Sequence, residues 1–124
     1  ENKEGETPLF KACKNANENI IKYLIKYGSN INKENNKGKT PLFEVCECEK
    51  EDIVKYFVEH KANIEKEDNE GETPIFIACE KGNENIVKYL VEQGANINKE
   101  NKRGEIPLFR ACKNGNINIV KYLI

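Results

Sequence analysis

The stretch TPLF at residues 7–10 returns as TPLF at 40–43, as TPIF at 73–76 and as IPLF at 106–109. The interval is 33 residues each time, and three further columns keep this register: glycine at 5, 38, 71 and 104, cysteine at 13, 46, 79 and 112, and lysine at 22, 55, 88 and 121. Columns that share one period in this way do not arise from composition alone. The sequence therefore predicts a tandem array with repeats at about 1–33, 34–66, 67–99 and 100–124, of which the last is incomplete.

Each repeat carries the signals of two short helices. In the first repeat Thr7 is a good N-cap and Pro8 suits the first helical position, so a helix is predicted from there to about Asn15. A second helix with an apolar stripe is predicted from Glu18 to Lys26, and Gly28 suits the left-handed position after it. Helices of two to three turns are not stable alone in water, so stacking must supply the stability.

The third repeat carries the most complete pattern: residues 68–78 read DNEGETPIFIA, residues 86–91 read IVKYLV and residues 94–98 read GANIN. It resembles the ankyrin repeat, whose pattern is D-x-x-G-x-T-P-L-H-x-A, then an I/V-V-x-x-L-L helix, then G-A-x-x-N, and the resemblance covers essentially the whole chain. This implies an all-α ankyrin-repeat solenoid of stacked helix-turn-helix units, with hairpins or extended loops between repeats. Because the chain begins at Glu1, we expect residues 1–124 to be one array cut from a longer one.

The resemblance also implies a function, which is protein–protein interaction without catalysis. The binding surface would be the concave groove formed by the first helices and the hairpin tips, where a rigid stack loses little entropy on association. Two alternatives stay open, namely a spacer or mechanical segment with no partner of its own, and a module that recruits substrates to a larger enzyme. The invariant lysine column at 22, 55, 88 and 121 fits the spacer hypothesis, because duplication copies surfaces before they diversify.

Charge distinguishes the repeats along the expected groove. Together with hairpin-tip and neighbouring residues, two columns of the first helices give the candidate protein-binding set: Lys11, Lys14, Glu44, Glu47, Asp68, Glu70, Ile77, Glu80, Lys81, Lys102, Arg103, Arg110 and Lys113. The middle of this set is acidic and its ends are basic, so we expect a protein partner that offers basic residues to the centre. The alternative is a solvated face whose charges differ between repeats without consequence.

Departures from the family pattern predict where this array differs from it. Phenylalanine replaces the histidine of TPLH at 10, 43, 76 and 109, which favours aromatic packing between repeats over an exposed recognition ladder. Glu49 and Lys61 occupy columns that hold glycine in the third repeat, so the second repeat is predicted to be the weakest. The last repeat has no polar outer face, and end-to-end self-association is expected through Leu108, Ala111, Ile119 and Leu123.

Cysteine, histidine and tyrosine carry no clear catalytic signal. The periodic cysteines lie where the family places a small buried alanine, which favours core packing over a redox or metal role, and Cys48 is expected to be an exposed thiol. The only histidine, His60, lies at the far end of a second helix and no catalytic motif occurs, so we expect no enzyme activity, no cofactor and no metal. The tyrosines at 23, 56, 89 and 122 are expected to be partly buried between repeats, with a partner-facing row as the alternative.

Composition limits the functional classes and cellular locations that the chain is expected to have. The chain has 38% hydrophobic and 33% charged residues, and its apolar runs are far shorter than the roughly 20 residues that span a bilayer, so no membrane association is expected. A net charge of −1 gives no field that would attract nucleic acid. Five cysteines without a signal peptide indicate a reducing compartment, so an intracellular and cytoplasmic location is expected.

Overall fold

A computed structural model of the chain describes residues 1–124 and contains eight α-helices and no β-strand. The helices are α1 (Pro8–Lys14), α2 (Glu18–Lys26), α3 (Pro41–Glu47), α4 (Glu51–Glu59), α5 (Pro74–Lys81), α6 (Glu84–Glu92), α7 (Pro107–Lys113) and α8 (Ile117–Leu123). Each repeat contributes one first helix and one second helix, and both helices of the first repeat have the predicted bounds to within one residue. None of the eight helices combines the length and the apolar character that a bilayer crossing requires.

The helices stack in two rows, which confirms the all-α repeat solenoid. The first helices contact one another in chain order, and each packs against the second helix of its own repeat. In the other row α4 contacts α6 and α6 contacts α8. One core cluster of 22 buried residues runs through the stack. No helix is longer than nine residues, so packing and not helix propensity holds the fold together.

The phenylalanine column lies between the repeats. Phe10, Phe43 and Phe76 are at most 2% exposed, so the predicted inter-repeat packing is confirmed for these three side chains. Phe109, in the fourth repeat, is 47% exposed. The buried rings cannot form the exposed recognition ladder that was the alternative.

The threonines before the prolines do not all cap their helices. Thr7 Oγ1 accepts a hydrogen bond of 3.3 Å from the N–H of Phe10, as predicted. Thr40 and Thr73 have closely similar backbone angles but make no capping bond, and their buried hydroxyl oxygens have no partner. An unsatisfied buried hydroxyl costs about 1–3 kcal/mol, so these two positions lower the stability of the interior repeats.

Residues with a left-handed backbone conformation recur at two equivalent positions of the repeats. Glu49 and Lys61 have φ values of 59° and 69°, in the region that favours glycine. The corresponding residues of the third repeat are Gly82 and Gly94, at 76° and 96°. The predicted conformational strain in the second repeat is therefore present. Ala16, in the same column as Glu49, has a φ of 51° that was not predicted.

The apolar surface at the end of the last repeat differs from the expectation. Ala111 and Ile119 are at most 1% exposed, so the prediction that they face outwards was wrong. Leu108 and Leu123 are half-buried. The Ile119 column contains Ile53 and Ile86, which are buried in the interior repeats, so this side chain faces its own core and the preceding repeat. The exposed apolar side chains are instead Phe109, Ile117, Tyr122 and Ile124.

The five cysteines are free, and three of them pack in the core. Cys13, Cys46 and Cys79 are buried as predicted, and burial raises the pKa of the Cys46 and Cys79 thiols to about 12. Cys48 was expected to be exposed but is half-buried, because its Sγ donates to the carbonyl oxygen of Cys13 at 3.2 Å. This thiol therefore contributes to the contact between the first two repeats.

Candidate functional site

The loops between helices of successive repeats are tight hairpins held by one side chain. In the second repeat Asn35 Oδ1 accepts hydrogen bonds from the N–H groups of Lys37 and Lys39, at 2.9 and 3.0 Å. The other three hairpins have the two equivalent bonds, made by Asn2, Asp68 and Asn101. A side chain that bonds its own backbone in this way fixes the turn. The hairpin tips therefore hold a defined shape.

Backbone hydrogen bonds join each hairpin to the next. Three N–H to carbonyl bonds of 2.9 Å recur at intervals of 33 residues: Asn36 to Glu4, Asn69 to Lys37 and Lys102 to Glu70. The glycine column allows this approach, since a Cβ on Gly5 would lie 2.5 Å from Asn36 Oδ1. The tips consequently form one row with fixed spacing.

Two adjoining cavities lie between the hairpins and the first helices, and we call this surface the groove. The smaller, of about 250 Å³, is lined by Lys3, Glu4, Glu6, Lys14, Asn35, Asn36, Lys37, Lys39 and Glu44. The larger, of about 450 Å³, is lined by Lys37, Lys39, Glu47, Asp68, Asn69, Glu70, Glu72, Ile77, Glu80, Arg103 and Arg110. Only Lys37 and Lys39 line both, and Ile77 is the one apolar residue. The groove is thus a polar surface.

A closed charge network occupies the part of the groove between the third and fourth repeats. The buried Glu72 carboxylate accepts hydrogen bonds from Asn101 Nδ2 at 3.0 Å and from Arg103 Nη2 at 3.3 Å, and it is also paired with Arg110. Arg110 is only 14% exposed and reaches Glu80 at 3.1 Å. Buried charges of this kind are tolerated when they are paired and hydrogen-bonded. This network therefore holds the two repeats together.

The part of the groove between the first and second repeats is less fully paired. Lys14 Nζ lies 2.6 Å from Glu6 Oε2, and this hydrogen bond lowers the pKa of the Glu6 carboxyl and raises that of the Lys14 amine. Glu44 is half-buried and has no ion pair, and its burial, followed by the charge of Glu47, raises the pKa of its carboxyl. Unlike Glu72, Glu44 lacks a cation that balances its burial.

The cavities bring together most of the predicted site residues. Nine of them line the groove: Lys14, Glu44, Glu47, Asp68, Glu70, Ile77, Glu80, Arg103 and Arg110. The structure places four others outside both cavities: Lys11, Lys81, Lys102 and Lys113. Asp68 and Ile77 are 8% and 5% exposed, so they offer a partner little surface. The Asp68 carboxylate is already used in holding its hairpin.

The expected acidic centre is interleaved with cations. Three of its carboxylates have basic partners, at distances of 4.0, 3.1 and 4.0 Å: Glu47 with Lys81, Glu80 with Arg110 and Glu70 with Arg103. With Asp68 buried, only Glu44 is left without either a cation or a structural hydrogen bond. The centre of the groove therefore presents far less free negative charge than the sequence suggested.

Sequence reasoning missed nine residues that line the groove: Lys3, Glu4, Glu6, Asn35, Asn36, Lys37, Lys39, Asn69 and Glu72. Three of them belong to the column directly before the Thr-Pro step, which reads Glu, Lys, Glu and Glu along the repeats. The signal was available in this column, because a charged residue there lies between the hairpin and the first helix. Lys37 belongs to the tip column that also contains Glu70 and Arg103.

The second helices carry a different ladder. Each of three lysines lies over the ring of a tyrosine in the next repeat, at 5.4 to 5.7 Å from the centroid: Lys22 over Tyr56, Lys55 over Tyr89 and Lys88 over Tyr122. Such contacts contribute about 0.5–1 kcal/mol at exposed sites. Tyr56 and Tyr89 are half-buried as predicted, whereas Tyr23 and Tyr122, in the first and last repeats, are 62% and 40% exposed. The invariant lysine column thus has a role in stacking.

Comparison with known proteins agrees with this architecture. A search of curated proteins gave no match. The family model described as ankyrin repeats (3 copies) matches residues 1–68 and again residues 60–124, which together span the chain. With eight helices in four stacked pairs, the chain belongs to the ankyrin-repeat family.

Proposed function

We propose that this array binds a protein partner through the groove formed by its first helices and hairpin tips. Ankyrin repeats are generally modules of protein–protein interaction. The observation that carries the proposal for this chain is the row of hairpins, in which every tip is fixed by its own side-chain turn and bonded to its neighbour. This row presents charged side chains at set positions over about 700 Å³ of adjoining cavities, the sum of the two volumes.

Preorganisation explains how such a surface binds without a deep apolar pocket. Ordering loops and side chains on association costs free energy, and a tip that is already ordered avoids most of that cost. The charges then select the partner by complementarity and set the rate of association. Recognition by the groove requires no cofactor and no bond-making step.

Protein is favoured over nucleic acid as the ligand of this groove. Glutamates recur along its whole length, at Glu4, Glu44, Glu47, Glu70 and Glu80. A phosphate backbone carries regularly spaced negative charge and would meet these carboxylates. An intracellular, cytoplasmic location is part of the same proposal, and the five free thiols support a reducing compartment.

The spacer alternative loses the observation that favoured it. Under that alternative the lysine column is a surface copied by duplication, but three of its members contact tyrosines of the next repeat. Those contacts explain the column whether or not the array binds a partner. Recruitment of a substrate for an enzyme would use the same groove and is a special case of the proposal.

A charge reversal tests whether the groove is the binding surface. Peptides are selected from a random dodecapeptide library on the immobilised chain, and their affinities are measured for Glu44→Lys with Glu47→Lys. The control is Glu59→Lys with Glu92→Lys, at the ends of α4 and α6 and outside both cavities. Helix propensity barely changes in either variant. We expect the groove reversal to change affinity several-fold while the control does not; equal responses would refute groove binding.

End-to-end self-association of this chain is a second part of the proposal. Phe109 and Ile124 are exposed at one end, and Ile20 is 48% exposed at the other, where Ile53 and Ile86 are buried in the interior repeats. An apolar face of this kind promotes association. Sedimentation at rising concentration should show dimers that Phe109→Glu abolishes, and a monomer at all concentrations would contradict this part.

A further inference from the structure

The groove leaves two lysines of the second hairpin without a partner in the chain. Lys37 and Lys39 are the residues that line both cavities, yet no carboxylate oxygen lies within 4.0 Å of either ammonium group. Asn35 fixes the backbone of both residues. Two free cations are therefore held at the centre of the groove, on either side of Gly38.

The neighbouring hairpins explain why these lysines are unpaired. Lys39 shares its column with Glu6 and Glu72, and both of those carboxylates are taken by other cations. Lys37 shares its column with Glu70, which lies 4.0 Å from Arg103, and with the exposed Glu4. Arg103, Arg110 and Lys14 thus use most of the negative charge that the second hairpin would otherwise contact. At the centre the two unpaired lysines outnumber the one unpaired carboxylate of the first helices there, Glu44, which lines the smaller cavity with them, so the free charge is basic on balance.

We propose that the second hairpin is the docking point for an acidic segment of the partner, which places two aspartate or glutamate side chains on Lys37 and Lys39. This inference rests on the proposed function, because it names the chemistry of the ligand of that same groove. A lysine ammonium binds a single carboxylate oxygen as a point charge and does not require bidentate geometry. The two cavities on either side of the hairpin leave room for the flanking residues of the segment.

An acidic peptide fits these positions better than a nucleic acid does. Three lysines line the groove without an ion pair; two of them lie in the second hairpin and the third, Lys3, lies in the first, and glutamates flank them in both cavities. A peptide can place carboxylates at two chosen residues and neutral or basic side chains beside the glutamates. A phosphate chain has no such choice. The ligand is therefore expected to alternate in charge along the groove, with its acidic part at the centre.

The test uses the same dodecapeptide library on the wild-type chain. We expect the selected peptides to be enriched in paired aspartate or glutamate, and Lys37→Gln with Lys39→Gln to weaken their binding about tenfold. The control is Lys50→Gln with Lys121→Gln, which removes the same charge outside both cavities and should leave affinity unchanged. Glu44→Lys with Glu47→Lys should strengthen binding, which is the direction opposite to that expected for a basic ligand.

The remaining outcomes distinguish three claims: the acidic segment, binding in the groove, and a protein as the ligand. Selected peptides without acidic pairs, sensitive to the Glu44 and Glu47 reversal but not to loss of the two lysines, would refute the acidic segment and leave groove binding intact. Peptides insensitive to every groove substitution would refute both. Single-stranded poly(U) that competes with the peptides and binds more tightly through the same lysines would refute a protein segment in favour of nucleic acid.

Discussion

The second and third repeats each have a neighbour on both sides, yet they differ in how closely their residues follow the ankyrin-repeat pattern. In the third repeat every residue from Pro74 to Cys79 is buried, and glycines occupy both left-handed columns. In the second repeat Glu49 and Lys61 occupy those columns, and Glu44 stands in the column that holds the buried Ile77. The third repeat follows the family pattern closely, with Phe76 in place of the histidine as in every repeat, whereas the second departs from it at several further positions.

The groove shows the same contrast. Glu72 of the third repeat is enclosed by two arginines and an asparagine, whereas Lys39, in the same column of the second repeat, has no ion pair. Departures from local structural rules tend to occur at functional sites. With the docking proposed at Lys37 and Lys39, this contrast leads us to expect that the third repeat contributes more to stability and the second more to partner recognition.

The largest difference in the free energy of unfolding is expected between Glu72→Gln and Lys39→Gln. Removal of the buried Glu72 charge leaves Arg110 and Arg103 without their shared partner, and breaking such a pair should lower the free energy of unfolding by about 2–4 kcal/mol. Lys39→Gln should change it by less than about 0.5 kcal/mol. Urea unfolding of both variants measures the two values. Similar losses would show that the groove charges are equally structural in the two repeats.

The left-handed columns should respond in opposite directions. Lys61→Gly and Glu49→Gly remove the steric cost of a side chain at positive φ and should each stabilise the chain by about 0.5–1 kcal/mol. Gly94→Ala introduces that cost in the third repeat, where a Cβ would meet open space, and should destabilise it by about 1 kcal/mol. Midpoints of thermal unfolding give the signs. A loss of stability in Lys61→Gly would contradict the predicted strain.

Glu44 should make the second repeat sensitive to pH. Its carboxyl pKa is raised by burial, so its contribution to stability is complete below the pKa of the unfolded chain and is lost as the pH rises through the folded-state pKa. Ionised Glu44 therefore weakens the fold at neutral pH. Glu44→Gln should raise the melting temperature at pH 7 and have no effect below about pH 4. Glu47→Gln is the control, because Glu47 is exposed and contacts Lys81, and it should show no such gain.

The smallest difference is expected in the cysteine column, where the two repeats are alike. Cys46 and Cys79 are both fully buried with thiol pKa values of about 12. Cys46→Ala and Cys79→Ala should cost about 1 kcal/mol each and differ little from one another. In the native chain a thiol reagent should modify the exposed Cys112 long before either of them. Rapid modification of Cys46 alone would indicate that the second repeat opens.

Local signals allowed most of the fold to be predicted from the sequence. The Thr-Pro steps and the apolar stripes mark the helices, because each depends on residues close together in the chain, and the 33-residue period repeats these signals in every unit. It was harder to predict which side chains of the last repeat face the preceding repeats. A stripe that contains Ile119 shows which residues are apolar, but not whether they face the preceding or the following repeat.

For the groove, the sequence predicted which charged residues take part but not how they pair with one another. The columns place Glu80 and Arg110 on the first helices, but they do not show that Arg110 reaches back to Glu72 on a hairpin 38 residues away. Such pairing depends on side-chain rotamers and on contacts between repeats. For the same reason the sequence predicts Asp68 as a free charge, although its column of Asn2, Asn35 and Asn101 is typical of side chains that bond their own turn.

Hydrogen exchange followed by mass spectrometry, with and without a selected peptide, tests the division between the two repeats most directly. In the free chain the amides of α4 should exchange faster than those of α6. The strained residues Glu49 and Lys61 lie just before and just after α4 and lower its local stability. Added peptide should slow exchange mainly at residues 35–47, around the free lysines. Equal exchange of α4 and α6 in the free chain, or protection by peptide that appears on the second helices, would contradict the account.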